Sequence, residues 1–418
     1  MFIVDSQTFA RADFVKRWEE MHGQEAFRAP EGKRYALCLK DAFDLVSVLL
    51  FLKERGGSTL LMHGGTPYET AVETAKRADC AYLLYGSWGS VVGTACPDER
   101  YAPSLLQYSS GTTRAPALIS RAWNEVDAEI AGYNELFRND PSSLHPIILV
   151  PVSHSYGLVT GVLSAMARGV TPRVIQQSNP KFVLRVFAEM PDHIVYTVPY
   201  LYRVFDSLSQ GRICNRRVVI SGSPPTEQLL NRMSSQSEEV WQQYGCTEAG
   251  SISVAKQPVS SMDVGLPLRH HRLEILEPSH EGGFLQGEVI TTTGTRRITT
   301  GDLGYIDPAS GRLYVQGRLD DLINVSGLKV TPAEVEGIIL RLPGVEETIV
   351  LKTDHPVWGE AVRALAVVSP GLTDKDIRNW CIKHLPPYKV PGIIELVREI
   401  PRTPAGKVSR KYLQSLER

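Results

Sequence analysis

The chain has 418 residues, of which 45 are Lys or Arg and 46 are Asp or Glu, so its formal net charge is −1. Hydrophobic residues make up 43% of the chain, which is typical of a globular protein with a sizeable core. The balanced charge argues against a dedicated nucleic-acid binder, because phosphate contacts need clustered Lys and Arg. The most apolar run, 46–52, is far shorter than the ~20 residues of a membrane-spanning helix.

The N-terminus and the cysteines both favour a cytoplasmic location. The first residues, MFIVDSQTFARAD, carry an acid at Asp5 and lack the basic-then-apolar order of a secretory signal. The six cysteines form neither a CxxC pair nor a cluster with His, as is usual in reduced cytosolic proteins. We therefore expect a cytoplasmic protein without a membrane segment, a disulfide framework or structural zinc.

The first hundred residues alternate between helical and strand patterns. Segment 41–55 has helical length and ends at Gly56, a plausible C-cap. Strand patterns follow at 58–65 and 81–86, with a helical pattern and an early proline between them. Short connections between alternating strands and helices predict a mostly parallel sheet that is covered by helices.

The rest of the chain indicates a large body and a small second unit. Apolar, β-branched strand patterns recur at 145–153, 193–199 and 216–225, and short strands separated by turns begin at Arg272. After Gly317 the pattern becomes that of a small α+β unit. The sequence therefore predicts an α/β fold, in which layered sheets and helices form an N-terminal body at 1–317. A small mobile α+β C-terminal domain follows at 321–418, beyond a charged hinge at 318–321.

A loop at 108–116, YSSGTTRAP, is the first motif that suits chemistry. Its successive backbone N–H groups and hydroxyls could bind phosphate oxygens, and Gly111 has no Cβ to block their approach. The loop lacks the GxxxxGK[ST] pattern of a Walker loop. Taken alone, it is explained equally well as a turn rich in Ser and Thr.

Four later motifs carry groups that suit a nucleotide. In QYGCTE, Tyr244 offers a flat face to a base, and Glu248 offers the hard oxygen ligand that Mg²⁺ prefers. The carboxylate of Asp302, in TGD, could accept hydrogen bonds from a ribose diol. Arg318 begins the Gly-containing segment RLDDLINVSGLKV, and Lys407 follows a Gly in PRTPAGKV. Each motif alone has a plain structural explanation, such as a surface turn or a solvated basic tail.

Together and in this order, the five motifs resemble those of the ANL superfamily of adenylate-forming enzymes. The resemblance implies an AMP-forming ligase that works in two steps. A carboxylate attacks the α-phosphorus of ATP to give an acyl-adenylate and pyrophosphate, and a phosphopantetheine thiol then displaces AMP. Because members of this superfamily are usually longer, the resemblance also implies a shortened N-terminal region. We expect the side left less covered to favour a docking partner or a second subunit, and hence a possible homodimer.

The resemblance also implies which residues bind the nucleotide. The β- and γ-phosphates would lie on a phosphate loop formed by Ser109, Ser110, Gly111, Thr112 and Thr113. Adenine would lie between Tyr244 and a turn formed by Ser221, Gly222 and Ser223. The ribose would contact Asp302 and Arg318.

The same resemblance implies the catalytic and moving parts. Thr247 would bind the α-phosphate, Glu248 would bind Mg²⁺, and Lys407 would bridge the α-phosphate and the substrate carboxylate. Asp320 would be the hinge about which the small domain turns. That turn would withdraw Lys407 and bring the loop at Gly327 to the thiol channel.

The phosphate loop departs from the pattern of the family. The family usually reads TSGTTGxPKG, whereas this chain reads SSGTTRAPAL, so that Arg114 replaces a Gly and Ala117 replaces a Lys. In one interpretation Arg114 restores the missing positive charge, and in the other it points to solvent. The change bears on how ATP is held and not on the overall chemistry. Asn324, where many members have Lys, is ordinary variation.

By the same resemblance, the acid would bind beside segment 153–156, SHSY. Amino-acid-activating members carry an Asp near this segment, so its absence disfavours an amino acid. The segment is more similar to that of aryl-acid and coumarate-type ligases, and we expect a hydroxybenzoate-like acid. The predicted pocket residues are His154, Ser155, Tyr156, Tyr196, Cys246 and Ser251. His154 is explained equally well as a hydrogen-bonded core histidine.

The thiol acceptor stays open, because coenzyme A and a carrier protein present the same pantetheine arm. The short chain favours a stand-alone ligase that loads a carrier protein in siderophore or other secondary-metabolite biosynthesis, and an acyl- or aryl-CoA ligase is the alternative. A non-catalytic nucleotide-binding sensor or scaffold is a rival of another class. The altered phosphate loop favours it, and the retained Glu248, Asp302, Arg318 and Lys407 count against it. A hydrolase that uses His154 is disfavoured, because no GxSxG motif is present.

Overall fold

The computed structural model describes residues 1–94, 99–109, 117–138, 144–177, 179–209, 215–281, 284–326, 328–356, 358–402 and 408–416. These residues form a mixed α/β fold with a large N-terminal body and a smaller C-terminal domain, as the sequence predicts. Across the described ranges, no helix has the length and apolar character needed to span a bilayer.

The body contains two sheets and the helices packed on them. Its strands are β1 (Phe2–Val4), β2 (Gln7–Phe9), β3 (Arg34–Leu39), β4 (Ser58–Leu61), β5 (Tyr82–Gly86), β6 (Val91–Gly93), β7 (Ser104–Tyr108), β8 (Leu118–Ala122), β9 (His145–Ile148), β10 (Arg173–Val174), β11 (His193–Thr197), β12 (Asn215–Ile220), β13 (Ser237–Cys246), β14 (Gly250–Lys256), β15 (Asp263–Pro267), β16 (Arg272–Glu281), β17 (Phe284–Thr293), β18 (Arg296–Ile306) and β19 (Leu313–Arg318). Its helices are α1 (Arg11–His22), α2 (Ala42–Glu54), α3 (Tyr68–Arg77), α4 (Trp123–Asn134), α5 (Ser164–Ala167), α6 (Pro180–Glu189), α7 (Pro199–Leu208) and α8 (Glu227–Gln236), and a π-helical segment spans Tyr156–Leu163.

The first sheet has six strands in the order β6-β5-β3-β4-β7-β8. Strands β5, β3, β4 and β7 run parallel, so the parallel sheet predicted for the first hundred residues is confirmed. The predicted helix at 41–55 is α2, whose N-cap Asp41 accepts a hydrogen bond from the Asp44 N–H. The chain leaves this helix through Gly56, whose φ of +71° is readily adopted by glycine.

The second sheet follows the order β16-β17-β18-β19-β15-β14-β13-β12-β11-β9-β10-β1-β2. Strands β9, β11, β12 and β13 run parallel, so their carboxyl ends lie along one edge. From β13 onward the neighbours are antiparallel. The strands and turns predicted after Arg272 are therefore confirmed.

Helix α2 explains why the two sheets pack against each other. Its apolar residues surround the helix axis instead of forming one stripe, and such a helix has to be buried on all sides. It shares one core with side chains of both sheets, including Leu37 of β3 and Ile148 of β9. Because a fully buried Leu, Val or Phe contributes roughly 1.5–3 kcal/mol, this helix is a main source of the stability of the body.

The C-terminal domain has its own sheet and its own core. Its strands are β20 (Ile323–Val325), β21 (Leu328–Val330), β22 (Val345–His355), β23 (Gly359–Val368) and β24 (Ile393–Leu396), and its helices are α9 (Pro332–Ile339), α10 (Asp374–His384) and α11 (Arg410–Ser415). Val335, Val362 and Ile377 belong to a cluster separate from the core of the body. A short 3₁₀ turn, Leu319–Asp321, joins β19 to this domain. The boundaries at 317 and 321 and the hinge motion stay predictions.

Candidate functional site

Several of the predicted site residues of the body lie at the carboxyl ends of parallel strands of the second sheet. Ser221 and Gly222 follow β12, Thr247 follows β13, and Tyr156 lies in the segment after β9. The crevice outside the carboxyl ends of the strands is where open α/β sheets bind their ligands. Residues that are far apart in the sequence therefore meet at one edge of the second sheet.

Tyr244, Asp302 and Arg318 form one hydrogen-bonded group. The Tyr244 hydroxyl donates to Oδ2 of Asp302 at 2.5 Å, and Nη1 of Arg318 lies 3.2 Å from Oδ1 of the same carboxylate. Arg318 also donates to the Thr300 carbonyl at 2.8 Å. Asp302 and Arg318 face each other in the ladder between β18 and β19, so the strand register alone brings them together. This group joins three of the residues predicted to hold the nucleoside.

The protonation of this group follows from its burial. Burial raises the pKa of Asp302, whereas the hydrogen bond from Tyr244 and the charge of Arg318 lower it. Burial also raises the pKa of Tyr244 well above its ordinary value, and the nearby Asp302 carboxylate adds to the effect. Tyr244 therefore remains a neutral donor at physiological pH. A carboxylate has about four acceptor positions, so Asp302 keeps some for a further donor such as a ribose hydroxyl.

Steric contact explains why the second position of the TGD motif is a glycine. Gly301 has a φ of +71°, and a Cβ at this position would lie 2.9 Å from Nη2 of Arg318. Any larger residue would be strained there and would push the guanidinium away from Asp302. In the motif, Gly301 is thus required by the close approach of Arg318, and Asp302 supplies the carboxylate.

The predicted hinge residue Asp320 is tied to this group. Its Oδ1 lies 3.3 Å from Nε of Arg318, which makes Arg318 a link between the nucleoside residues and the connection to the C-terminal domain. The role of Asp320 as a hinge stays a prediction.

Thr247 and Glu248 lie in the turn between β13 and β14, and both side chains are half-buried. A β-bulge separates Tyr244 from Gly245, where a Cβ would lie 2.2 Å from the Gly250 carbonyl oxygen. Mg²⁺ is commonly held by one or two carboxylates together with substrate phosphates, so the single carboxylate of Glu248 fits a magnesium–ATP site. The turn can present a hydroxyl and a carboxylate to the same polyphosphate.

The segment at the predicted acid pocket is held firmly at both ends. The Tyr156 hydroxyl lies 2.7 Å from the Val219 carbonyl and 3.2 Å from that of Thr197, at the ends of β12 and β11. Ser155 donates to the side-chain oxygen of Gln107, and the Gln107 amide donates to the Ser153 carbonyl at 3.2 Å. The buried Gln107 therefore orients the loop that precedes the π-helical segment.

Tyr196 lies next to Tyr156, with their ring centres 6.0 Å apart. Its side chain is fully buried, and its hydroxyl lies 3.4 Å from that of Tyr133 in the core. Burial raises the pKa of the Cys246 thiol to about 12, and the nearby Glu248 carboxylate adds to the rise. Ser251 is buried, and its hydroxyl has no hydrogen-bond partner among the residues that the structure describes. The contacts of these three residues with the acid stay predictions.

His154 lines a cavity of about 280 Å³ beside the phosphate loop. The cavity lies at the carboxyl ends of β4 and β7, and His63, Arg77 and Tyr108 are among its lining residues. Because the His154 side chain is exposed, the alternative of a core histidine does not hold.

The phosphate loop is described only at its base. The Ser109 N–H donates to the Ala117 carbonyl at 2.9 Å, and the Ala117 N–H lies 3.2 Å from the Ser109 hydroxyl, so these residues close the loop. Seven residues discussed above lie outside the described residues: Ser110, Gly111, Thr112, Thr113, Arg114, Gly327 and Lys407.

Sequence reasoning missed a buried ion pair behind the Thr247 turn. Arg121 and Glu129 pair with each other, and Glu129 also accepts a hydrogen bond from the Ser251 N–H at 2.8 Å. The only feature of the sequence that points to this pair is the spacing of Glu125 and Glu129, one helical turn apart. That spacing is common in helices and is therefore a weak indication.

Two family models match the chain. Residues 54–292 match the model described as AMP-binding enzyme, and residues 334–407 match the model described as AMP-binding enzyme C-terminal domain. Among curated proteins, the chain is 45% identical over 417 residues to a 3,4-dihydroxybenzoate–[aryl-carrier protein] ligase of Bacillus anthracis, covering 99% of this chain and 98% of that one. It is 26% identical to a 4-coumarate–CoA ligase of Pinus taeda, covering 77% of this chain and 67% of that one.

Solved structures share the fold. ATP-bound MatB from Rhodopseudomonas palustris superposes with a TM-score of 0.86 at 19% identity, covering 99% of this chain and 95% of that one. An O-succinylbenzoate coenzyme A synthetase from Bacillus subtilis in complex with AMP gives a TM-score of 0.82 at 21% identity, with coverage of 99% and 95%.

Proposed function

The chain belongs to the family of AMP-binding enzymes, and from this membership we propose that it activates an aryl acid with ATP and loads it onto an aryl carrier protein. The observation that carries the proposal is the 45% identity, over nearly the full length of both chains, to a ligase that joins 3,4-dihydroxybenzoate to an aryl carrier protein. The chain is an AMP-forming ligase that uses ATP and Mg²⁺.

In our proposal, the first half-reaction depends on positioning and on neutralising charge, because the acid and ATP are both anions. Asp302 and Arg318 hold the ribose, and Tyr244 lies against adenine. Glu248 would hold Mg²⁺, which would supply positive charge against the polyphosphate. Thr247 contacts the α-phosphate, and Lys407 bridges it to the attacking carboxylate. The hydrogen-bonded group of Tyr244, Asp302 and Arg318 supports the nucleoside part of this assignment.

The proposed acid is hydroxybenzoate-like. Segment 153–156 contains no carboxylate that would bind an α-ammonium group, and it follows β9 at the edge where the nucleotide residues converge. The free hydroxyl of Ser251 supports a ring substituent that can form hydrogen bonds, since a buried polar group without a partner is costly. We place the ring between Ser155, Tyr156, Cys246 and Ser251.

The second half-reaction transfers the acyl group to a phosphopantetheine thiol. We propose that this thiol belongs to a carrier protein, and that the reaction is part of the biosynthesis of a siderophore or another secondary metabolite in the cytoplasm. Free coenzyme A is the second candidate, favoured by the similarity to a 4-coumarate–CoA ligase. We further propose that the domain at 321–418 turns about Asp320 between the two half-reactions, and that the enzyme is a homodimer.

The experiment is acid-dependent exchange of radiolabelled pyrophosphate into ATP across hydroxybenzoates, coumarate, fatty acids and amino acids. We expect exchange with dihydroxybenzoates at a kcat/KM at least tenfold above that for amino acids. Exchange that is strongest with a fatty or amino acid would overturn the proposed substrate. Absence of exchange with every acid would favour a nucleotide-binding sensor or scaffold.

The acceptor is tested by supplying the exchanged acid with either coenzyme A or a phosphopantetheinylated aryl carrier protein. Mass spectrometry of the carrier protein and chromatography of coenzyme A report the two products. A higher kcat/KM for coenzyme A than for the carrier protein would make coenzyme A the preferred acceptor and contradict the proposal.

A further inference from the structure

The Arg121–Glu129 pair is the starting point. The Arg121 side chain is 4% exposed and that of Glu129 is 1% exposed, although Arg and Glu are almost never fully buried unless they are paired. Arg121 lies in β8 and Glu129 in α4. Because breaking such a pair leaves a buried charge unpaired, the two side chains hold each other in a narrow range of positions.

Arg121, one member of this pair, lies on the strand that follows the phosphate loop. Strand β8 begins immediately after Ala117, at the base of the loop, and Arg121 pairs with Leu105 of β7 in the ladder that the loop connects. Arg121 therefore lies on the strand that follows the base of the loop, four residues after Ala117.

Glu129, the other member of the pair, contacts the backbone just after the Thr247 turn. Oε1 of Glu129 accepts the Ser251 N–H at 2.8 Å. Gly250 has a φ of +76°, and a Cβ there would lie 2.3 Å from Oε2 of Glu129 and 2.6 Å from Nη2 of Arg121. The ion pair is thus in close contact with the backbone at the start of β14.

A second contact from α4 holds the other side of the turn. Glu125 precedes Glu129 by one helical turn, and its Oε2 accepts a hydrogen bond from Nη1 of Arg296 at 2.8 Å. Nη2 of the same Arg296 lies 3.4 Å from the Glu248 carbonyl oxygen. Two carboxylates on one face of α4 therefore hold the segment that carries Thr247 and Glu248.

We propose that α4 positions the Thr247–Glu248 turn relative to the base of the phosphate loop, through Glu129 with Arg121 and through Glu125 with Arg296. The four side chains are positioning residues, and none of them needs to touch the substrate. Their effect is to fix the spacing between the turn that carries Thr247 and Glu248 and the base of the phosphate loop at Ser109 and Ala117. This inference rests on the proposed nucleotide roles of Thr247, Glu248 and the phosphate loop.

The first test is Glu129→Gln, which removes the charge and nearly keeps the shape. We expect the dissociation constant for MgATP, measured by calorimetry, to rise about 10- to 100-fold, the range seen when outer partners of a metal site are lost, because Arg121 loses its counter-charge and the Ser251 N–H loses a charged acceptor. Asp206→Asn is the matched control, because Asp206 is also buried and ion-paired but lies in α7 beside Arg232. The control should bind MgATP within twofold of the parent protein.

The second test is Arg296→Gln, which leaves only the charge of Glu125 unpaired, and the Glu125 side chain is 26% exposed. Its control is Arg297→Gln, on the same strand and paired with Glu274. We expect MgATP binding about 3- to 10-fold weaker for Arg296→Gln and unchanged for Arg297→Gln. This variant decides the outcome if Glu129→Gln fails to fold.

The proposal is overturned if Arg296→Gln, or a folded Glu129→Gln, binds MgATP within twofold of the parent. It is also overturned if the controls weaken binding equally, since the loss would then reflect general stability. Binding is measured directly, so failure of the proposed function gives a different result. In that case the parent protein binds MgATP without exchanging pyrophosphate for any acid, and the variants still differ from their controls.

Discussion

The guanidinium carbon of Arg402 lies 4.3 Å from the centre of the Tyr200 ring. Tyr200 is the second residue of α7, which follows the carboxyl end of β11 in the body, whereas Arg402 belongs to the C-terminal domain. Arg402 also pairs with Glu347, and Oε1 of Glu347 lies 3.3 Å from Nη2 of Arg203 on α7. Arg402, five residues before Lys407 in the sequence, and Glu347 of the C-terminal domain are therefore both in contact with α7 of the body.

We predict that Arg402→Ala slows adenylate formation more than thiol transfer. The lost contacts are worth about 1–2 kcal/mol, which corresponds to a fall of roughly 5- to 30-fold in pyrophosphate exchange. Transfer from a supplied acyl-adenylate should change less than twofold. Arg398→Ala is the control, since Arg398 is exposed four residues earlier. Equal losses in both half-reactions would show that Arg402 acts on stability alone.

The carboxylate of Asp302 provides the second prediction. If it accepts hydrogen bonds from ribose, Asp302→Ala should raise the KM for ATP by about 10- to 100-fold, as expected for lost hydrogen bonds to a charged group. The parent enzyme should use 2′- and 3′-deoxy-ATP less well than ATP, and the variant should discriminate less between them. Pyrophosphate exchange with the three nucleotides measures this. Unchanged discrimination in the variant would remove the ribose from the contacts of Asp302.

The features predicted correctly from the sequence are the local ones. The apolar residues of α2 surround its axis between Asp41 and Gly56, so its bounds and its burial follow from a segment of about 15 residues. The strands at 58–65 and 193–199 also follow from short apolar runs. Motif order singles out Tyr244, Asp302 and Arg318, whose contact with one another no local rule shows and whose role stays a prediction.

The features that were missed depend on long-range packing. Glu129 and Ser251 are 122 positions apart, and their contact depends on how α4 packs against β14. The full burial of Tyr196 also depends on packing, because its side chain lies beside both Tyr133 of α4 and Tyr156. Which face of a fully apolar strand meets the core cannot be read from its own residues.

The third prediction concerns acid stability. Burial, the neighbouring His270 and Arg121 lower the pKa of His271 from 6.5 to about 3. His271 is therefore neutral in the folded protein down to about pH 3, whereas in the unfolded chain it binds a proton near pH 6.5. Its contribution to stability is fully present above pH 6.5 and is lost progressively as the pH falls from 6.5 to 3.

At pH 5 this loss amounts to about 2 kcal/mol, at about 1.4 kcal/mol for each pH unit below 6.5. His271→Gln should therefore lose less stability than the parent protein between pH 7.5 and pH 5. Urea unfolding at pH 7.5, 6 and 5 measures the difference, with the exposed His384→Gln as control. Parallel pH profiles for parent and His271→Gln would contradict the prediction.

The last prediction concerns the Cys246 thiol. Burial and the adjacent Glu248 raise its pKa to about 12, so only about one thiol in 10⁴ is ionised at pH 8. Because the thiolate is the reactive form, iodoacetamide should alkylate Cys246 in the folded protein about a thousandfold more slowly than a free cysteine. Peptide mass spectrometry over time measures the rate, and the unfolded protein, where Cys246 should react normally, is the control. Rapid alkylation in the folded state would mean that a thiolate lies beside Glu248 and would contradict the raised pKa of Cys246.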